Sequence, residues 1–165
     1  MPKKGSGERK ESFDELMKSC ALVPYRTIAV GIDHSYTSAM VMERALHLAK
    51  IFCSKLIIIH VVPTMLPFET KQGPAVDPSY MEFMKLADTD VIQLAKKRLT
   101  EMGVKGEVIE LEGEPAEEIL EVLEEEKVNL VVVGSKEKTG TLVHLGSVSK
   151  AVSERAKCSV LIERV

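Results

Sequence analysis

Two hydrophobic patterns alternate along the chain from residue 26 onward. Short, largely β-branched runs occupy residues 27–32, 55–62, 104–111, 128–133 and 159–163, and runs of this length and composition read as strands. Between them apolar residues recur every three or four positions, which is the spacing of a helix face. Ala39, Met42, Leu46, Ala49 and Cys53 share one face of a helix over 35–52. Tyr80, Met84, Ala87, Val91, Leu94 and Ala95 do the same over 79–102, and Gly103 supplies the stop. A third helix opens at Glu114-Pro115, with proline at its first position and acids in its first turn, and it buries Ile119, Leu120 and Leu123. A fourth covers 147–157. The Glu124-Glu125-Glu126 run reads as a solvated surface, and residues 63–78, with four prolines and Gly73, read as an extended loop.

Strand and helix thus alternate five times and end on a strand. That order predicts an α/β domain: three layers, a doubly wound five-stranded parallel sheet, helices on both faces and right-handed crossovers. Residues 27–32 and 128–133 read as central strands. In such sheets ligands lie beyond the carboxyl ends of the strands, where the winding reverses. Asp33 and Gly134 stand at two of those ends. After Gly134 a polar loop leads to Gly146-Ser147-Val148-Ser149, which opens the fourth helix. Strand, glycine loop and helix N-terminus in that order form an anion cradle, because first-turn amides lack partners and carry partial positive charge. A purely structural role is also open. The glycines then only turn the chain, Ser147 is an N-cap, and Asp33 is an Asx cap for the helix beginning at Ser35.

Composition narrows the partners. A chain of 165 residues with 45% apolar and 28% charged residues suits one domain with a sizeable core. A net charge of −3 gives no basic field for nucleic acid or anionic membrane, and no apolar run is long enough to span a bilayer. Residues 1–24 read as a polar tail followed by a short amphipathic helix, and residues 25–165 as the domain. Cys20, Cys53 and Cys158 are too few and too scattered for a disulfide framework or a zinc site. The histidines at 34, 47, 60 and 144 show no metal-ligand spacing, so no metal site is expected and His60 reads as a satisfied sheet histidine. The expected location is cytoplasmic.

Tyr25–Ser35, His60-Val61-Val62, Val131–Ser135, Leu145–Ser149 and Cys158–Ile162, in this order and spacing, resemble the universal stress protein family over nearly all of residues 25–165. The resemblance implies an adenine nucleotide alpha hydrolase-like fold with strand order 3-2-1-4-5. It also implies homodimers joined by antiparallel pairing of the last strand, here 159–163. One branch of the family binds ATP through G-x2-G-x9-G-[S/T]. On that pattern Gly134 is the first glycine and Gly146-Ser147 the closing pair. Asp33 matches the acid near adenine and ribose, Val61 the apolar residue beside the base, and Gly31 a small residue before the acid. Val133, Val148 and Ser149 match other lining positions. Glu137 replaces the second glycine, and the span from Gly134 to Gly146 is one residue short of the pattern.

Walker-type G-x4-G-K-[ST], Rossmann G-x-G-x-x-G and the G-x-S-x-G elbow are all missing from the sequence. With no nucleophile–base pair in view, catalysis is at most a slow ATPase. The reading is therefore a stress-response module that binds ATP, AMP or ADP, with Mg2+ where phosphates call for it. It acts as a homodimer on a protein partner. A family member without nucleotide, working through protein contacts, is the alternative.

Overall fold

The computed structural model describes residues 25–64, 69–70, 73–74, 78–137 and 143–165. The expected tail and short helix at 1–24, most of the 63–78 loop, and the side chain of Glu137 lie outside the described residues.

Strand β1 (Thr27–Ile32) is followed by α1 (Tyr36–Phe52), β2 (Lys55–Pro63), α2 (Pro78–Met102), β3 (Gly106–Gly113), α3 (Pro115–Glu125), β4 (Leu130–Glu137), α4 (Ser147–Arg155) and β5 (Ser159–Arg164). The five strands are parallel in the order β3-β2-β1-β4-β5, which is the expected 3-2-1-4-5. Because strand side chains alternate, each central strand feeds both layers. Ile28, Val30, Ile58 and Val132 meet α1 and α2, while Ala29, Ile57, Ile59, Val131 and Val133 meet α3 and α4. Ile28, Ile57, Ile58 and Val131 are fully buried, each stabilising by about 1.5–3 kcal/mol.

Helix ends follow from local chemistry. Ser35 caps α1, its side chain accepting from the Ser38 amide at 3.1 Å. Glu114 caps α3 by accepting from the Glu117 amide at 2.9 Å, with Pro115 in the first turn as expected. Gly103, at φ 63°, ends α2. At the amino end of the sheet the Asn129 side-chain oxygen accepts from the amides of Arg26 and Thr27, both at 3.0 Å, and so holds β1 against β4. The Arg98 guanidinium grips both oxygens of Glu43 at 2.6 and 2.8 Å, which ties α2 to α1 and holds the Glu43 carboxyl below its ordinary range.

Several boundaries differ from the sequence expectation. The buried stripe of α2 is Asp88, Ile92, Ala95 and Leu99, whereas Leu94 is half exposed. On α1, Ala39 and Cys53 are exposed, and Val41 and Ala45 join the buried face instead. β3 lies two residues later than the apolar run, because Val104 folds under α2 with its amide on the Leu99 carbonyl at 3.0 Å. The polar stretch after Gly134 is not simply loop. β4 continues to Glu137, and a return strand, Val143–Leu145, pairs antiparallel with it. In the proline-rich segment, Glu69–Thr70 and Gly73–Pro74 form a two-residue antiparallel ladder.

Among the described residues β5 lies at a sheet edge, with Ile162 45% exposed. The Ser159 amide donates to the Asn129 carbonyl on the β4 side. By strand alternation the amides of Leu161 and Glu163 also face β4, and those of Val160 and Ile162 face outward. Among the described residues no helix is long and apolar enough to cross a membrane.

Candidate functional site

The chain leaves β1 toward the α1–α2 layer and leaves β4 toward the α3–α4 layer, so the winding reverses between these neighbouring strands. At their carboxyl ends lies a cavity of about 580 Å3. All nine residues expected at a binding site line it: Gly31, Asp33, Val61, Val133, Gly134, Gly146, Ser147, Val148 and Ser149. A smaller hollow of about 250 Å3 lies between α3 and the end of α4, away from these strand ends. It includes Cys158, whose thiol burial pushes up from its ordinary value. It brings together no loop glycine or helix N-terminus, so the larger cavity is the candidate site.

The three lining glycines exist for different reasons. A Cβ on Gly134 would stand 2.8 Å from Val41 Cγ2 and 3.1 Å from Thr37 Cγ2, so close packing of α1 on β4 requires glycine there. At Gly31 a Cβ would meet only the flexible tip of Ile119, at 2.9 Å. Gly146 has an ordinary backbone, φ −62° and ψ 164°, and a Cβ there would meet nothing within 4 Å among the described residues. Neither backbone strain nor packing asks for glycine at 146. Its effect is to leave the backbone of the α4 entrance open to the cavity.

Gly146, not Ser147, is the N-cap of α4, and it caps without a side chain. The first intrahelical bond runs from the Lys150 amide to the Gly146 carbonyl at 2.9 Å. The amides of Ser147, Val148 and Ser149 are therefore first-turn donors without an intrahelical acceptor, and they stand where the helix dipole is positive. Glu137, at the position of the missing glycine, has its backbone in the ladder opposite Val143.

Asp33 does serve the turn before α1. Its Oδ1 accepts from the Ser35 amide at 2.7 Å, and its own amide donates to Ser38 Oγ at 2.8 Å. Among the described residues its second carboxylate oxygen makes no hydrogen bond.

Next to Asp33 stands a group that the sequence reading did not assemble. His60 is 2% exposed; its Nδ1 lies 3.0 Å from the Ile32 carbonyl and its Nε2 2.8 Å from Asp88 Oδ1. His60 is thus a satisfied sheet histidine, as expected. His34 Nε2 approaches the same Asp88 oxygen at 2.9 Å, and all three residues line the cavity. They come from a turn, a strand and a helix, and residues 60 and 88 are 28 positions apart, so no spacing motif announces them. The available signal was Asp88 itself, an acid on a stripe otherwise made of Ile92, Ala95 and Leu99.

The family model of the universal stress protein family matches residues 24–164. Universal stress protein YxiE of Bacillus subtilis is 35% identical over 147 residues, covering 85% of this chain and 99% of the relative. A universal stress protein family structure from Burkholderia pseudomallei superposes with a TM-score of 0.65 at 28% identity, covering 86% of this chain and 97% of that one. The structure of a universal stress protein in complex with cAMP gives 0.61 at 27% identity, covering 86% and 98%. Strand order, helix placement and sequence likeness agree, and the chain belongs to the universal stress protein family.

Proposed function

We infer that this chain is a stress-response regulatory module that binds an adenine nucleotide in the cavity at the ends of β1 and β4. The observation that carries this reading is the convergence of all nine expected residues, from separate segments, on one cavity whose edge is the open first turn of α4. The amides of Ser147, Val148 and Ser149 and the hydroxyls of Ser147 and Ser149 hold the phosphates. Gly146 gives the phosphate its approach to the backbone. Asp33 takes ribose hydroxyls with its second oxygen, and Val61 lies against the base. A solved relative at 27% identity holds cAMP, which supports adenine as the base. Calorimetry with ATP and with AMP, each with and without Mg2+, tests this. Saturable one-to-one binding of either nucleotide is expected, and no heat from any of the four titrations would overturn it.

The active form in this reading is a cytoplasmic homodimer joined by antiparallel pairing of β5, whose nucleotide state alters contact with a protein partner. β5 is an edge with outward amides at Val160 and Ile162, and such edges are usually covered in soluble proteins. Ile162→Pro removes an outward donor and is tolerable on an edge strand. Sedimentation of the parent should give a dimer and of this variant a monomer; a dimer that persists in the variant places the interface elsewhere. Leu161→Pro would instead cut the β4–β5 ladder and destabilise the protomer itself.

A further inference from the structure

We propose that His34, His60 and Asp88 form a binding site for one divalent transition-metal ion of the Zn2+ class, set in the wall of the cavity. Both imidazole Nε2 atoms converge on one oxygen, Asp88 Oδ1, at 2.9 and 2.8 Å. The three ligand atoms all lie within 4.8 Å of one another.

The hydrogen bonding of His60 carries the argument. A backbone carbonyl only accepts, so His60 Nδ1, 3.0 Å from the Ile32 oxygen, bears the hydrogen. A neutral His60 then has only a lone pair on Nε2, and this faces a carboxylate oxygen 2.8 Å away. Two acceptors at that distance require a cation between or beside them, either a proton, which makes the contact a hydrogen bond, or a metal ion. Metal-ligating histidines have this arrangement, with one ring nitrogen on the metal and the other donating to a carbonyl. Asp88 is 8% exposed on the sheet-facing stripe of α2. A carboxylate there is costly unless it is paired or coordinates a metal. Among the described residues its ion-pair partners are these two histidines.

The donor set fits the ion class. Two imidazoles and one carboxylate suit Zn2+ and its neighbours, whereas Ca2+ and Mg2+ prefer oxygen alone. Metal–ligand bonds of about 2.0–2.2 Å separate tetrahedral ligands by roughly 3.3 Å. The two nitrogen–oxygen contacts must therefore lengthen by about half an ångström. His34, on a turn and with its side chain 33% exposed, is the member able to shift. Three protein ligands leave a fourth position, and the cavity supplies room there for water or an oxygen of a bound molecule. The site does not depend on the nucleotide reading.

The test titrates chelator-treated, nucleotide-free protein with Co2+, followed by visible absorption, and then displaces Co2+ with Zn2+. One Co2+ per chain is expected, with tetrahedral-type bands and no thiolate charge transfer. His34→Gln and Asp88→Asn should each weaken binding at least tenfold. The exposure of His34 makes His34→Gln the decisive variant, with unchanged thermal unfolding of the metal-free protein as its control. Absence of stoichiometric uptake, a thiolate signature, or unchanged affinity in His34→Gln would each overturn the site. Absence of uptake would identify a proton as the cation that joins His60 to Asp88. Nucleotide titrations in the presence of chelator report on the other reading separately.

Discussion

The α4 wall of the cavity and the wall made by β1, β2 and α2 are built by different means. On the α4 wall four consecutive residues, Gly146 to Ser149, present backbone amides and hydroxyls, and no charged side chain takes part. The other wall is made of side chains. Asp33 and His34 come from one turn, His60 from a strand and Asp88 from a helix. Both histidines meet Asp88, His60 is also tied to the Ile32 carbonyl, and Asp33 is tied to the Ser35 amide of its own turn. Amides of a helix start are fixed by the helix and need no partner to hold them in place, so that wall is ready for an anion. Buried titratable groups need partners to be tolerated at all. The second wall is therefore organised around its own charges before any ligand enters.

The glycines give the largest expected contrast within this picture. Gly134→Val drives new atoms into Val41 and Thr37. Overpacking of that kind costs about 1–3 kcal/mol and should lower the thermal midpoint by roughly 2–12 °C in a chain of this size. Gly146→Val meets open space among the described residues. Its midpoint should stay within about 3 °C of the parent, while ATP affinity falls at least about tenfold, or 1.4 kcal/mol. Thermal scanning and calorimetry on the same two variants check both halves. Equal loss of stability would show that Gly146 serves the fold, and the contrast between the walls would lose its basis.

A smaller effect separates the two duties of Asp33. Asp33→Asn keeps an oxygen for the Ser35 amide but removes the charge. Nucleotide affinity should fall about three- to tenfold, with the thermal midpoint within about 2 °C. Asp33→Ala removes the turn acceptor as well, and should lower stability by about 0.5–1 kcal/mol in addition. Unchanged affinity in the Asn variant would leave Asp33 as a turn residue only.

What could be read from the sequence divides along the same line. The alternation of strands and helices and the α4 wall were legible because hydrophobic period and a contiguous Gly-Ser-Val-Ser act locally, whereas the strand order followed from the family resemblance. The metal-competent cluster was not, since its members meet only through the register that sets Ile32 beside His60 and the helix face that turns Asp88 inward. The α2 face was only partly placed, for a related reason: Val91 and Ala95 pack on the core as read, but apolar Leu94 attracted the assignment, and the acid that truly faces the sheet did not. Polar residues after Gly134 looked like loop, yet backbone pairing with the return strand extends β4, and backbone pairing leaves no trace in side-chain character. Pairing of His34 with Asp88 across loop and helix is equally silent in sequence.

The most direct measurement follows the amides themselves. A 1H–15N titration of the labelled protein with ATP, repeated with AMP, should move the Ser147, Val148 and Ser149 signals first and furthest, with those of Gly146 and Asp33 close behind. Saturating nucleotide that leaves the α4 amides unmoved, or shifts confined to another surface, would contradict the account.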